Sequence, residues 1–194
     1  MESLFALVDT IFVSKISTEA VATVGLTESV ITLVYSIAIG LSMAATAMVA
    51  RRIGEGDPEK AALAGAQAIL IGFGVSVIIG IAGVIFAEDI LRLMGADDKV
   101  IETGAGYTRI LLGSNVVIMM LFLLNGIFRG AGDASLAMRS LWVANILNII
   151  LDPLFIFGIG PFPELGVQGA AVATTIGRSV GVLFQVNQEC HVSF

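Results

Sequence analysis

Five stretches of this chain, at residues 26–50, 61–87, 106–128, 137–159 and 166–186, are each long and apolar enough to cross a lipid bilayer. About 20 mainly apolar residues carry a helix through the hydrocarbon core, where backbone polar groups must be satisfied internally. Runs of this kind point to an all-α, polytopic membrane helix bundle. Composition agrees: charged residues make up 13% of the chain, against about 25% in a typical soluble domain. A further apolar segment, Leu4 to Val13, is too short to cross and reads as the second half of a span. The expected architecture is therefore about six transmembrane helices with the first one truncated. Residues 1–186 form the transmembrane lobe, and 187–194 form a polar tail.

The connections are short, and two of them repeat. Arg52-Ile53-Gly54-Glu55-Gly56-Asp57-Pro58 follows one span, and Arg129-Gly130-Ala131-Gly132-Asp133 follows another. In both, glycines suit a left-handed turn that ends the incoming helix, and the aspartate suits the N-cap of the next. Pro58 fits the first helical position. Neither Gly-x-Gly string follows a strand, so neither reads as a nucleotide loop. Lys and Arg counts slightly favour these loops on the cytoplasmic side, which places the N-terminus there too. The 22 glycines cluster in the spans, where small residues let membrane helices pack closely.

Several function classes are excluded. No basic stripe with interleaved aromatics suits nucleic acid. The single Cys190 and single His191 are chain neighbours, so they provide neither a disulfide framework nor a metal cluster nor a convergent nucleophile–base pair. The polar residues inside the apolar runs are more informative. Asn145, Asn148 and Asp152 are spaced three and four apart, on one helical face, and Pro153 follows at once. A carboxylate inside the bilayer costs roughly 2.5–3.5 kcal/mol on insertion scales, which makes it a functional hypothesis by default. Pro153 lacks an N–H and frees the carbonyl of Ile149. Carboxylate, carbonyl and amides together suit a proton or a hard cation such as Na⁺. The same residues also read as interhelical hydrogen-bond glue with a proline kink. Asp9 is a second intramembrane acid or an interfacial cap. Thr174 and Thr175 sit on a small-residue face, and Arg178 lies one turn further on.

These segments resemble the multidrug and toxic compound extrusion (MATE) transporters. The resemblance rests on Leu7-Val8-Asp9-Thr10, the two Gly-Asp loops, Asn145-Ile146-Leu147-Asn148 through Asp152-Pro153-Leu154-Phe155, and Gly169-Ala170-Ala171-Val172-Ala173-Thr174, in that order. It implies one lobe of a two-lobe antiporter that exports organic, often cationic compounds against H⁺ or Na⁺ entry, with no other cofactor and no enzymatic activity. It also implies a cation site at Asp9, Asn148, Asp152 and Thr174, supported by Asn145, Pro153 and Arg178, with Na⁺ held at Asp9, Asn148 and Asp152. The membrane would be the cytoplasmic one. Transport by a single lobe would require a second lobe or a dimer partner. Against this reading stand a lipid-linked oligosaccharide flippase, an intramembrane aspartyl enzyme and a nonfunctional fragment.

Overall fold

A computed structural model describes residues 10–189, which are helical apart from short turns. A helical turn at residues 10–13 leads into α1 (Thr18–Gly54), α2 (Pro58–Ile85), a short α3 (Ala87–Leu93), α4 (Asp98–Gly113), α5 (Asn115–Gly130), α6 (Ala134–Phe157) and α7 (Val167–Glu189). Among the described residues, five helical units are long and apolar enough to span a membrane, α4 and α5 together counting as one. At 37 residues, α1 is about 56 Å long, well beyond the ~30 Å hydrocarbon core. The expected spans all fall within observed helices except at the ends of three, which run one or two residues beyond them. The expected single span at 106–128 is interrupted: Ser114 ends α4 and α5 begins at Asn115. The sequence also gave no sign of α3. At the C-terminal end α7 runs through Glu189, so the polar segment begins inside a helix.

The Gly-Asp loops form as their chemistry requires. Gly56 and Gly132 take φ of 76° and 94°, a region open to glycine without strain. Asp57 then accepts from the Lys60 N–H at 3.0 Å, and Asp133 accepts from the Leu136 N–H at 3.0 Å. Ion pairs gather at the first of these loops, Arg51 and Arg52 with Glu55 and Lys60 with Asp57, while Arg109 with Glu88 ties α4 to α3.

Two seams organise the bundle. Along the first, α1 meets α5 through hydroxyls and glycines. Ser42 donates to the Phe122 carbonyl and Thr46 to the Gly126 carbonyl, both at 2.8 Å. This approach is open only because Gly126 and Gly130 have no side chain: a Cβ on either would come within 2.7 Å of an α1 carbonyl. The second seam joins α6 to α7, the most extensive pairing in the fold. Between the seams, Val24, Ile31, Tyr107, Leu111, Leu112, Ile118 and Ile156 form the main apolar core. Leu33, Leu70 and Ile78 are 66–71% exposed and supply the lipid-facing surface a membrane helix needs.

Candidate functional site

The second seam carries the polar cluster. On α7, Gly169, Ala170, Ala171, Ala173 and Gly177 leave one face almost without side-chain bulk, and α6 lies directly on it. A Cβ on Gly177 would sit 2.9 Å from the Ala144 carbonyl oxygen and 3.3 Å from the Asn148 nitrogen. That proximity brings Thr174 to Asn148. The Asn148 Nδ2 donates to Asp152 Oδ1 at 3.2 Å, one turn along its own helix, and to Thr174 Oγ1 at 3.1 Å across the seam. All three side chains are buried; Asp152 is wholly inaccessible.

The remaining oxygen of the amide, Asn148 Oδ1, is buried and makes no hydrogen bond among the described residues. Buried polar atoms in folded proteins are nearly always bonded, and an orphan acceptor signals a bound water, an ion or a functional role. A carboxylate, an amide oxygen and a hydroxyl thus lie together in a low-dielectric interior. Such a donor set suits a proton on the carboxylate or a hard cation shared among the oxygens.

The supporting residues divide. Asn145 is buried, but its Nδ2 donates to the Leu141 carbonyl of its own helix at 2.7 Å, which binds it to α6 rather than to the cluster. Pro153 lies inside α6, which continues as helix to Phe157. Arg178 is 3% exposed. Its Nη2 donates to the Tyr35 hydroxyl at 2.6 Å, and its guanidinium lies 5.5 Å from the Tyr35 ring centroid, so it ties α7 to α1. Asp9, Cys190 and His191 lie outside the described residues.

Residues 1–154 match the family model described as MatE. The chain belongs to the MatE family. Members of this family are membrane transporters rather than enzymes. The FAD transporter of Shewanella oneidensis is 36% identical over 170 residues, which cover 88% of this chain and 38% of that protein. The probable multidrug resistance protein NorM of Thermotoga maritima is 32% identical over 182 residues, covering 93% of this chain and 39% of the relative. Among solved structures, a MATE multidrug resistance transporter matches in its inward-facing form with a TM-score of 0.90, and in its outward-facing form with 0.87. Each is 34% identical and covers 97% of this chain but 42% and 41% of the other. The chain spans about two fifths of the length of the proteins it matches.

Several polar contacts of this MatE-family chain were not expected from the sequence. Thr27 and Thr108 share a hydrogen bond of 2.8 Å, and Ser114, at the break between α4 and α5, reaches Thr175 at 2.9 Å. Asn125, Ser140 and Gln185 form a second buried cluster joining α5, α6 and α7. The three come from different helices, so no intrahelical spacing links them, and each stands among other polar residues of its own helix, such as Arg129, Asn145 and Arg178.

Proposed function

We propose that the chain is the N-terminal lobe of a cation-coupled antiporter that exports small organic compounds across the cytoplasmic membrane, with H⁺ or Na⁺ as the coupling ion. The observation that carries this reading is the wholly buried Asp152 carboxylate, which accepts from Asn148 on the seam between α6 and α7, where the Asn148 oxygen makes no hydrogen bond among the described residues. Asn148, Asp152 and Thr174 bind the ion, and Asp9 joins them. Arg178, on α7, braces the lobe against Tyr35 of α1.

The mechanism follows from the shared amide. Asn148 divides its Nδ2 donors between Asp152 and Thr174. A proton or Na⁺ on the carboxylate competes for the oxygen that Asn148 holds, and frees the amide to turn toward the hydroxyl of α7. The balance of contacts along the seam then differs between the loaded and empty states. A ligand shifts a conformational equilibrium only through unequal affinity for its two states, and this rearrangement supplies the inequality. Export itself requires a second lobe or a dimer partner, so that a cavity between the two opens to each side in turn. The exported compound is a drug-like or FAD-like organic molecule, by analogy with the names of the relatives.

The test is efflux from vesicles under separate pH and Na⁺ gradients, using a chain that carries both lobes. Asp152→Asn is expected to abolish gradient-driven efflux while leaving the amount of folded protein unchanged. Efflux at the wild-type rate in that variant would sink the assignment.

A further inference from the structure

A cleft of about 310 Å³ opens between α5 and α6 toward their Gly-Asp loop, lined by Phe122, Asn125 and Arg129 on one side and Ala137, Met138 and Leu141 on the other. Along α6 it lies well away from Asp152: Ser140, which backs the cleft, is about 18 Å from Asp152 at 1.5 Å per residue. The two polar side chains that line it, Asn125 and Arg129, both carry N–H donors. Gln185 Nε2 bonds Asn125 Oδ1 at 2.6 Å and Ser140 Oγ at 2.8 Å, while the Ser140 hydroxyl donates to the Ala137 carbonyl. With its oxygen held from behind, Asn125 keeps its Nδ2 donors for the cleft it lines; they make no hydrogen bond among the described residues, although the residue is only 8% exposed.

One turn further on, Arg129 is fixed by two bonds of 3.2 Å, from Nε to the Asn125 carbonyl and from Nη2 to Ser42 Oγ. It forms no ion pair among the described residues, and no carboxylate lines the cleft. The nearby loop acid, Asp133, is engaged by Ser135 and the Leu136 N–H. A guanidinium held in place with free N–H groups, an amide donor and a flanking phenyl ring match the chemistry of an aromatic compound bearing a phosphate or carboxylate. An organic cation would meet like charge here.

We propose that this cleft is a substrate subsite for the anionic group of an aromatic solute, with Arg129 and Asn125 as its donors and Phe122 against the ring system. The inference rests on the export reading and names its substrate class. The probes are riboflavin 5′-phosphate and riboflavin, which differ only in the phosphate, titrated by flavin fluorescence against the full chain in zwitterionic nanodiscs without any gradient.

Wild type is expected to bind the phosphate form at least tenfold more tightly, with the preference shrinking as salt rises. Arg129→Gln should bind both flavins equally, its retained riboflavin affinity showing that the fold is intact; Arg129→Lys should keep part of the preference. Three results overturn the proposal: no flavin binding by wild type, no phosphate preference, or a preference that survives Arg129→Gln. A preference lost when anionic lipid replaces zwitterionic lipid also overturns it, and assigns the cleft to a lipid headgroup instead. Because binding is read at equilibrium, it stands or falls separately from coupling. An Asp152→Asn chain that loses its cation response but keeps the phosphate preference refines the subsite reading alone.

Discussion

Replacing Asp152 by asparagine removes a charge and preserves the shape around it, so its consequences can be sized. The Asp152 oxygen that accepts from Asn148 at 3.2 Å has a carboxamide counterpart able to accept the same bond. A hydrogen bond to a charged group contributes about 1.5–3 kcal/mol and a neutral one about 0.5–1.5 kcal/mol, so the exchange costs on the order of 1 kcal/mol. Against this stands the relief of no longer burying a carboxylate at a wholly inaccessible position, which is of similar or greater size. Net stability without a coupling cation should therefore change little. The response to cation should change a great deal. A ligand at 100 times its Kd stabilises the folded state by about 2.7 kcal/mol. For a chain of 194 residues that corresponds to a rise of roughly 5–11 °C in unfolding midpoint. The assay is thermal unfolding in nanodiscs across a Na⁺ series at constant pH and ionic strength, then across a pH series without Na⁺. Wild type should rise by that amount in one series, and the variant should stay flat in both. A variant whose midpoint climbs in parallel with wild type would refute the reasoning.

Other expectations are more local. Gly177→Val places a side chain against the Ala144 carbonyl and the Asn148 nitrogen. It should destabilise by about 1–3 kcal/mol through overpacking and blunt the cation response, whereas Gly25→Ala, with nothing within 4 Å of the added carbon, should leave the cation response unchanged and stabilise by about 0.5–1 kcal/mol in the same melts. Thr174→Val removes the hydroxyl that Asn148 bonds at 3.1 Å; stability should fall by about 0.6 kcal/mol, a typical interhelical bond in a membrane, and Thr174→Ser should restore it. The helix caps predict a pH dependence. The Lys60 side chain and N–H hold the Asp57 carboxyl below its usual range, and the Ser135 hydroxyl and Leu136 N–H do the same for Asp133. A depressed folded value means the cap is fully effective above the unfolded value, near pH 4, and is lost as pH falls through the lower folded value. Amide exchange in the first turns of α2 and α6, corrected for intrinsic rates, should accelerate only below about pH 4. The Asp57→Asn, Asp133→Asn double variant should lose that dependence, and an unchanged profile would show the carboxylates are not its source.

The helices were legible because a bilayer leaves few alternatives to a long apolar run. The caps at Asp57 and Asp133 were legible because turn chemistry is local. The break at Ser114 was not: Gly113, Ser114 and Asn115 lie between two apolar runs in a chain rich in glycine, so a helix end there leaves the overall composition of the span unchanged. What marks it is tertiary, namely the Ser114–Thr175 bond and the two carbonyls, of Ser76 and Leu112, that Asn115 caps. The same division holds at the site. Asn148 and Asp152 stood out because both lie on one face of one helix. Thr174 was noted on its small-residue face, but its place beside Asn148 entered only through the family resemblance, since nothing within α7 points to α6. Asn125, Ser140 and Gln185 come from three helices and were invisible for that reason, as was the Tyr35 partner of Arg178.

The position of the buried cluster limits how an ion at this site could drive a transporter. Asn148, Asp152 and Thr174 lie within the lobe, between two of its own helices, so an ion there acts first on the α6–α7 seam. A hundredfold difference in affinity between two seam arrangements amounts to about 2.7 kcal/mol. That is enough to carry a tenfold excess of one arrangement to a tenfold excess of the other. It is too little to reverse an equilibrium of 99 to 1, which takes about 5.5 kcal/mol. A single coupling ion therefore demands a lobe whose two arrangements lie within roughly 1.4 kcal/mol of each other. Such arrangements must share nearly all their packing. The fold meets that condition in one respect: it superposes almost equally well on inward- and outward-facing relatives, with TM-scores of 0.90 and 0.87. The α1–α5 seam, fixed by Ser42, Thr46 and two glycines, has no slack to share in the change. The α6–α7 seam is packed as closely, a Cβ on Gly177 coming 2.9 Å from the Ala144 carbonyl, so a rearrangement there falls to side chains, above all to the Asn148 amide shared by Asp152 and Thr174.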